Sequence, residues 1–170
     1  VALLDFDCDG DLDIFVTGGG TIGGNPVATA GLPPAFYRND GAWKFVDVTT
    51  EVGLAKAMDY SIGCSCSDFN RDGFPDLLVT GYPRCRLYQN TGRGGFEEVS
   101  TQVGLGFEGL HTASAWPDVN EDGWPDLFVA GYVTFDLKEG RKCGDDLRKI
   151  KDICGIWQYP SAPDRLFLNR

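Results

Sequence analysis

The sequence is poor in histidine and methionine, with one of each, and short of positive charge, with 15 Lys and Arg against 25 Asp and Glu. A lone histidine, His111, rules out a zinc site built on paired histidines and is expected to pack or hydrogen-bond within the fold. The formal charge of -10 repels phosphates from most of the surface, so nucleic acid is not an expected partner and cations are. No apolar run approaches the roughly 18 residues of a membrane-spanning helix, and membrane insertion is not expected. The opening VALLDFD has no charged n-region, apolar h-region or cleavage site, so an export signal is expected upstream or already removed. Motifs for a nucleophile, for a phosphate loop and for a paired acid in an apolar setting are missing too. The glycine-rich TGGGTIGG precedes no helical pattern and lacks the P-loop lysine. No enzymatic activity is expected of this chain.

What the sequence does hold is aspartate in a repeated order. DFDCDGDLD, from Asp5 to Asp13, returns as DFNRDGFPD from Asp68 to Asp76 and as DVNEDGWPD from Asp118 to Asp126. The flanks repeat as well. A short apolar run follows each loop (LDIFVTGG, DLLVTGY, DLFVAGY), then an aromatic segment ending in Asn (AFYRNDG, RLYQNTG, RLFLNR), and the first two units close on Val-Gly-Leu. Matching flanks argue for duplicated structural units. Runs of Val, Leu, Phe and Tyr bounded by Gly, Pro, Asn and Asp read as strands, and no long helical period is present. Each unit therefore reads as strand, Asp loop, strand, turn, strand ending in Asn, turn and fourth strand, the order of a β-propeller blade. An antiparallel sandwich is the alternative, but it leaves the repeat period unexplained. The units span residues 1–57, 58–108 and 109–170, the third with an insertion over 132–164.

Four carboxylates about 5 Å apart repel by roughly 3 kcal/mol per pair at an effective dielectric near 20. Summed over such a loop, that exceeds the ~5–15 kcal/mol stability of a domain, so the loop must open, protonate or bind a cation. Oxygen ligands select a hard cation. Alternation turns the side chains of positions 1, 3, 5 and 9 toward one centre, the glycine at position 6 permits a sharp turn, and the carbonyl of position 7 can complete a calcium shell. An EF-hand requires glutamate at position 12, where Val16, Val79 and Val129 stand inside the next strand. Solvated Asp-Gly turns without an ion are the plainer alternative, and three matching loops weigh against it.

These motifs resemble the FG-GAP or VCBS-like repeats of integrin-α-type propellers, and especially bacterial proteins similar to the cartilage acidic protein family, which often end in an ASPIC/UnbV domain. The features that carry the resemblance are VALLDFDCDGDLDIFV, FYRNDGAWKFVDVTTEVGL and CGIWQYPSAPDRLFLNR. It implies an all-β, integrin-α-like propeller segment of about three four-stranded blades. It also implies about three Ca2+ ions, one per loop. The implied ligands are the side chains of Asp5, Asp7, Asp9 and Asp13 with the carbonyl of Asp11 in the first loop. The second would use Asp68, Asn70, Asp72 and Asp76 with the carbonyl of Phe74, and the third Asp118, Asn120, Asp122 and Asp126 with that of Trp124. The family closes rings of about seven blades, so the chain is expected to be an arc of a larger ring or to complete its sheet with another chain.

Six cysteines, an even count, suit a disulfide framework and an oxidising compartment: secreted, cell-surface or periplasmic. Cys143 with Cys154 is the preferred pair because both lie in the insertion. Strand direction suggests two weaker pairs, Cys64 with Cys85 and Cys8 with Cys66, and a soft metal on Cys64, Cys66, Cys85 and His111 is the alternative. The insertion also gathers basic residues, among them Arg141, Lys142, Lys149 and Lys151, and carries Trp157 and Tyr159. It is expected to contact a protein or carbohydrate partner, another copy of the chain included, or else to cover its own blade. The expected function is a non-enzymatic, extracellular calcium-binding propeller module for adhesion, assembly or ligand binding. The alternative is an accessory propeller module of a secreted carbohydrate-active enzyme whose catalytic residues lie elsewhere.

Overall fold

A computed structural model describes residues 1–24, 28–56, 58–134, 136, 144–145, 150–151 and 156–170. The first sheet begins with β1 (Ala2–Leu4) and β2 (Asp13–Val16). A separate hairpin of β3 (Gly20–Gly23) and β4 (Ala28–Gly31) follows, and the sheet resumes with β5 (Ala35–Asn39) and β6 (Phe45–Asp47) in the order β1-β2-β5-β6. The second sheet is an antiparallel meander of β7 (Tyr60–Ser67), β8 (Asp76–Tyr82), β9 (Arg86–Asn90) and β10 (Phe96–Glu98). The third takes β11 (His111–Ala115) and β12 (Leu127–Gly131). After a two-stranded hairpin of β13 (Gly144–Asp145) and β14 (Ile150–Lys151) and a 3-10 turn at Ile156–Gln158, it adds β15 (Arg165–Phe167). No α-helix occurs among the described residues. Among the described residues the fold is all-β and propeller-like, with three main sheets that close no ring.

The turns explain the repeated sequence signs. After β6, the N–H of Val52 reaches the carbonyl of Val48 at 3.0 Å and that of Leu54 reaches Thr49 at 3.0 Å. After β10 the same pair recurs as Val103 to Val99 at 3.2 Å and Leu105 to Ser100 at 2.8 Å. The glycine of each Val-Gly-Leu, Gly53 or Gly104, holds a left-handed φ of 83° or 81° that turns the leucine back into the core. Thr49 and Ser100 accept the N–H of Phe36 and Leu87 at 2.8 and 2.9 Å, which ties each fourth strand to the third.

Two apolar layers separate the three sheets. Phe15 and Phe36, paired across β2 and β5, face Leu77 and Val79 of β8 in the first layer. Leu78 and Leu87, paired across β8 and β9, face Leu127 and Val129 of β12 in the second. Strand alternation thus commits the central sheet to both layers, and each side chain so buried contributes about 1.5–3 kcal/mol. The layers fix how neighbouring sheets sit, and with them how the Asp loops line up along one edge.

Candidate metal centre

Each Asp loop joins the first two strands of its sheet and follows one backbone path. The carboxylate at position 1 accepts the N–H groups of positions 5 and 6. Asp5 takes those of Asp9 and Gly10 at 3.0 and 3.1 Å, Asp68 those of Asp72 and Gly73 at 3.0 and 2.9 Å, and Asp118 those of Asp122 and Gly123 at 3.1 and 2.8 Å. The carboxylate at position 5 accepts the N–H of position 7: Asp9 from Asp11 at 2.8 Å, Asp72 from Phe74 at 3.0 Å and Asp122 from Trp124 at 2.9 Å. Position 4 is left-handed in all three, with φ of 58° at Cys8, 57° at Arg71 and 59° at Glu121, and the glycine at position 6 follows at 93°, 92° and 86°. A Cβ on Gly10 or Gly73 would meet nothing within 4 Å, so it is the φ and not a lack of room that calls for glycine.

Position 9 anchors the loop to the sheet. Asp13, Asp76 and Asp126 are 0% exposed. One oxygen of each accepts the N–H of position 2 (Phe6 at 2.8 Å, Phe69 at 3.0 Å, Val119 at 2.9 Å). The other accepts the N–H of the strand-ending Asn, which is Asn39, Asn90 or Asn169, at 2.8 Å each. Burial pushes the Asp76 carboxyl up to about 7 and raises that of Asp13, against the pull of these donors. Holding the charge there costs free energy that a nearby cation would offset.

In the first loop, ligand oxygens of Asp5, Asp7 and Asp13 lie within 4.8 Å of one another. Burial and then the neighbouring Asp9 raise the Asp7 carboxyl. Asp9 itself stands outside that cluster. The other loops relieve the same crowding with an amide: Asn70 donates to Asp72 at 2.8 Å and Asn120 to Asp122 at 2.8 Å. Position 7 side chains lie over neighbouring groups, Asp11 beside Gly41, the Phe74 ring against Gly92 and Trp124 under the Arg71 guanidinium at 5.2 Å. The Cys8 thiol donates to the Gly73 carbonyl at 3.5 Å, so position 4 of one loop reaches the next loop twice over. The donors are all oxygen, and carboxylate oxygens that each accept one N–H retain lone pairs for a cation.

With that geometry in hand, the FG-GAP-like repeat profile matches residues 5–79 and again 68–129. The chain belongs to the FG-GAP-like repeat family. Cartilage acidic protein 1 of Xenopus tropicalis is 32% identical to this FG-GAP-like chain over 74 residues, which are 41% of the chain and 11% of that protein. The chain therefore spans a small part of that relative's length.

Among the described residues of this FG-GAP-like chain, the two weaker expected pairs, Cys64 with Cys85 and Cys8 with Cys66, are not formed. Cys8, Cys64, Cys66 and Cys85 are all unpaired. Cys64 stands opposite Val79 and packs on the first apolar layer, whereas Cys85 lies in the second, on the other face of the same sheet. Cys8 sits out in its loop, while the Cys66 thiol donates to the Leu3 carbonyl at 3.2 Å, at the level of β1. Cys143 and Cys154 lie outside the described residues, as do Arg141, Lys142 and Lys149. Lys151 belongs to β14, Trp157 is exposed on the 3-10 turn and Tyr159 is half-buried. His111 is buried with the Phe107 ring edge-on at 4.8 Å, and burial lowers its pKa.

Sequence reasoning passed over Asn39, Asn90 and Asn169 as site residues. The Asn90 amide donates to the Phe6 carbonyl of the preceding loop at 2.8 Å, and the Asn169 amide to that of Phe69 at 2.5 Å. The repeated Asn at the end of each third strand was the available signal.

Proposed function

We propose that each Asp loop binds one calcium ion and that the chain is an extracellular, calcium-stabilised module for adhesion, assembly or ligand binding, with no catalysis of its own. The observation that carries this reading is the cluster of Asp5, Asp7 and Asp13 oxygens within 4.8 Å, in a loop whose backbone path two further loops repeat. Calcium accepts six to eight oxygen ligands in flexible geometry, which suits carboxylates, amides and carbonyls drawn from a nine-residue turn better than the strict octahedron of magnesium. Family membership and the likeness to cartilage acidic protein 1 support an extracellular setting. The partner contact is proposed for the 132–164 insertion. In support, β12 runs away from its Asp loop and ends at Gly131, just before the insertion, and Trp157 within it is exposed.

Calcium titration by calorimetry, paired with thermal melts, tests the reading. Saturation at 100 times Kd stabilises by about 2.7 kcal/mol per site, or roughly 5–10 °C for a chain of this size. Excess chelator should lower the melting temperature and calcium should restore it. A melting curve unmoved by calcium, in protein shown to be calcium-free beforehand, overturns the assignment.

A further inference from the structure

The end of β8, the segment that enters β11 and both limbs of the 132–164 insertion converge around a cleft of about 440 Å3. Small-molecule sites enclose roughly 300–1,000 Å3, so the cleft is of that size. Backbone bonds hold its walls. The N–H of Gly109 donates to the Pro83 carbonyl at 2.8 Å, that of Tyr132 to Leu110 at 3.0 Å and that of Thr134 to Pro160 at 2.8 Å. The Gly131 N–H donates to the Asp164 carboxylate at 2.9 Å, and a Cβ on Gly131 would stand 2.4 Å from the Pro163 carbonyl oxygen. The returning limb of the insertion therefore lies directly on the end of β12. Arg165 pairs with Val129, whose side chain packs toward the second sheet, so Arg165 takes that same face. The cleft opens between the second and third sheets and uses neither outer face.

His111 lines this cleft at 2% exposure, and its buried Nδ1 has no hydrogen-bond partner among the described residues. Buried polar atoms are nearly always paired, so an unmet one beside an open cleft points to a ligand. Burial, and after it the Arg165 guanidinium, lower the pKa of the ring, which is therefore neutral at neutral pH. In that state Nδ1 donates or accepts according to tautomer. Charged groups of both signs share the lining: the carboxylates of Glu108 and Asp136 and the guanidinium of Arg165. The Arg165 guanidinium stands over the Phe107 ring at 4.6 Å, and that ring is stacked on Phe167 at 5.5 Å. Tyr82 and Pro163 add apolar surface.

We infer that this cleft binds a neutral saccharide. A sugar hydroxyl donates to Glu108 or Asp136, accepts from Arg165 and does either for the His111 Nδ1, so one chemical group meets every polar member of the lining. An anion is opposed by the two carboxylates and a cation by Arg165. The C–H face of a sugar ring suits the apolar surface of Tyr82 and Pro163. The inference rests on the ligand-binding role proposed for the insertion and narrows it to one site and one ligand class. It is independent of the calcium assignment.

His111 is the one histidine of the sequence, so its imidazole C–H signal in an NMR spectrum reports on the cleft without overlap. The 170-residue chain is titrated, in calcium, with the methyl glycosides of glucose, galactose, mannose and N-acetylglucosamine, and with acetate, methylammonium and alanine as charged probes. At least one glycoside, at up to tens of millimolar, should shift the His111 signal saturably and receive saturation transfer from the protein. Arg165→Ala and Glu108→Gln, both at exposed positions and checked for unchanged circular dichroism, should each weaken that binding, the first by about tenfold or more. A His111 signal that no glycoside moves overturns the inference, as does one moved only by a charged probe. Glycoside binding that both variants leave at wild-type strength overturns it too. If Trp157→Ala abolishes that binding while the two cleft variants keep it, the cleft is wrong and the insertion contact stands.

Discussion

Replacing Asn90 by alanine removes a side chain that holds two blades together while leaving its backbone N–H on Asp76. The loss comprises the bond to the Phe6 carbonyl at 2.8 Å, the Gly92 N–H that Oδ1 accepts at 3.0 Å and the longer contact to Pro75 at 3.4 Å. The two shorter bonds are worth about 0.5–1.5 kcal/mol each, and leaving the Phe6 carbonyl buried without a donor adds roughly 1–3 kcal/mol. Asn90→Ala should therefore destabilise by about 2–6 kcal/mol. Asn39→Ala, at the same place in the first blade, loses only the 3.4 Å contact to Leu12 and should cost no more than about 1 kcal/mol in dilute protein. Urea denaturation of both variants in excess calcium, at a concentration where the chain is monomeric, measures the difference. If Asn90→Ala lay within about 0.5 kcal/mol of the wild type, or the two variants cost the same, the clasp between blades would have no energetic standing.

Two other perturbations separate the layers from the insertion. Leu87→Ala opens the second apolar layer at a side chain 2% exposed and should cost about 2–5 kcal/mol by chemical denaturation; a cost under about 1 kcal/mol would mean that the layer collapses to fill the space. Alkylation of the unfolded, unreduced chain followed by intact mass should find four free thiols, those of Cys8, Cys64, Cys66 and Cys85, with Cys143 and Cys154 joined. Six labelled cysteines would remove the insertion's crosslink and one argument for an oxidising compartment.

The strands and loops were legible because each is written locally. An Asp loop needs its carboxylates at fixed offsets and a glycine at φ near 90°, and a short apolar run between such loops has few alternatives to a strand. The β3–β4 hairpin was not legible. Its sequence, from Gly20 to Gly31, is mostly glycine, alanine and threonine with little apolar alternation, so no period announces a strand. The Cys64–Cys85 pair is not formed for a different reason. Which face a side chain takes is a matter of register, and Cys64 and Cys85 fall on opposite faces only once Cys64 is set against Val79 and Leu87 against Leu78. Nothing within a single repeat states that the third-strand Asn serves the preceding blade; that follows only when two blades are side by side.

The loop and the clasp share one residue, and this explains why the position 9 aspartate is buried at a cost. Asp76 receives the N–H of Asn90 at 2.8 Å, and the amide of the same Asn90 reaches the Phe6 carbonyl, next to Asp5 in the first loop. Phe6 in turn donates its N–H to Asp13 at 2.8 Å. A continuous path therefore runs from the buried carboxylate of one loop, through the strand-ending Asn, into the loop of the preceding blade and onto that blade's own buried carboxylate. Asp126 and Asn169 extend it to the third blade through the carbonyl of Phe69, whose N–H is held by Asp76. A cation that fixes the carboxylates of one loop acts on groups that also set the spacing of the neighbouring sheet. The buried aspartates of the loops and the stacking of the blades thus share one hydrogen-bonded path, which the repeat builds twice within this chain.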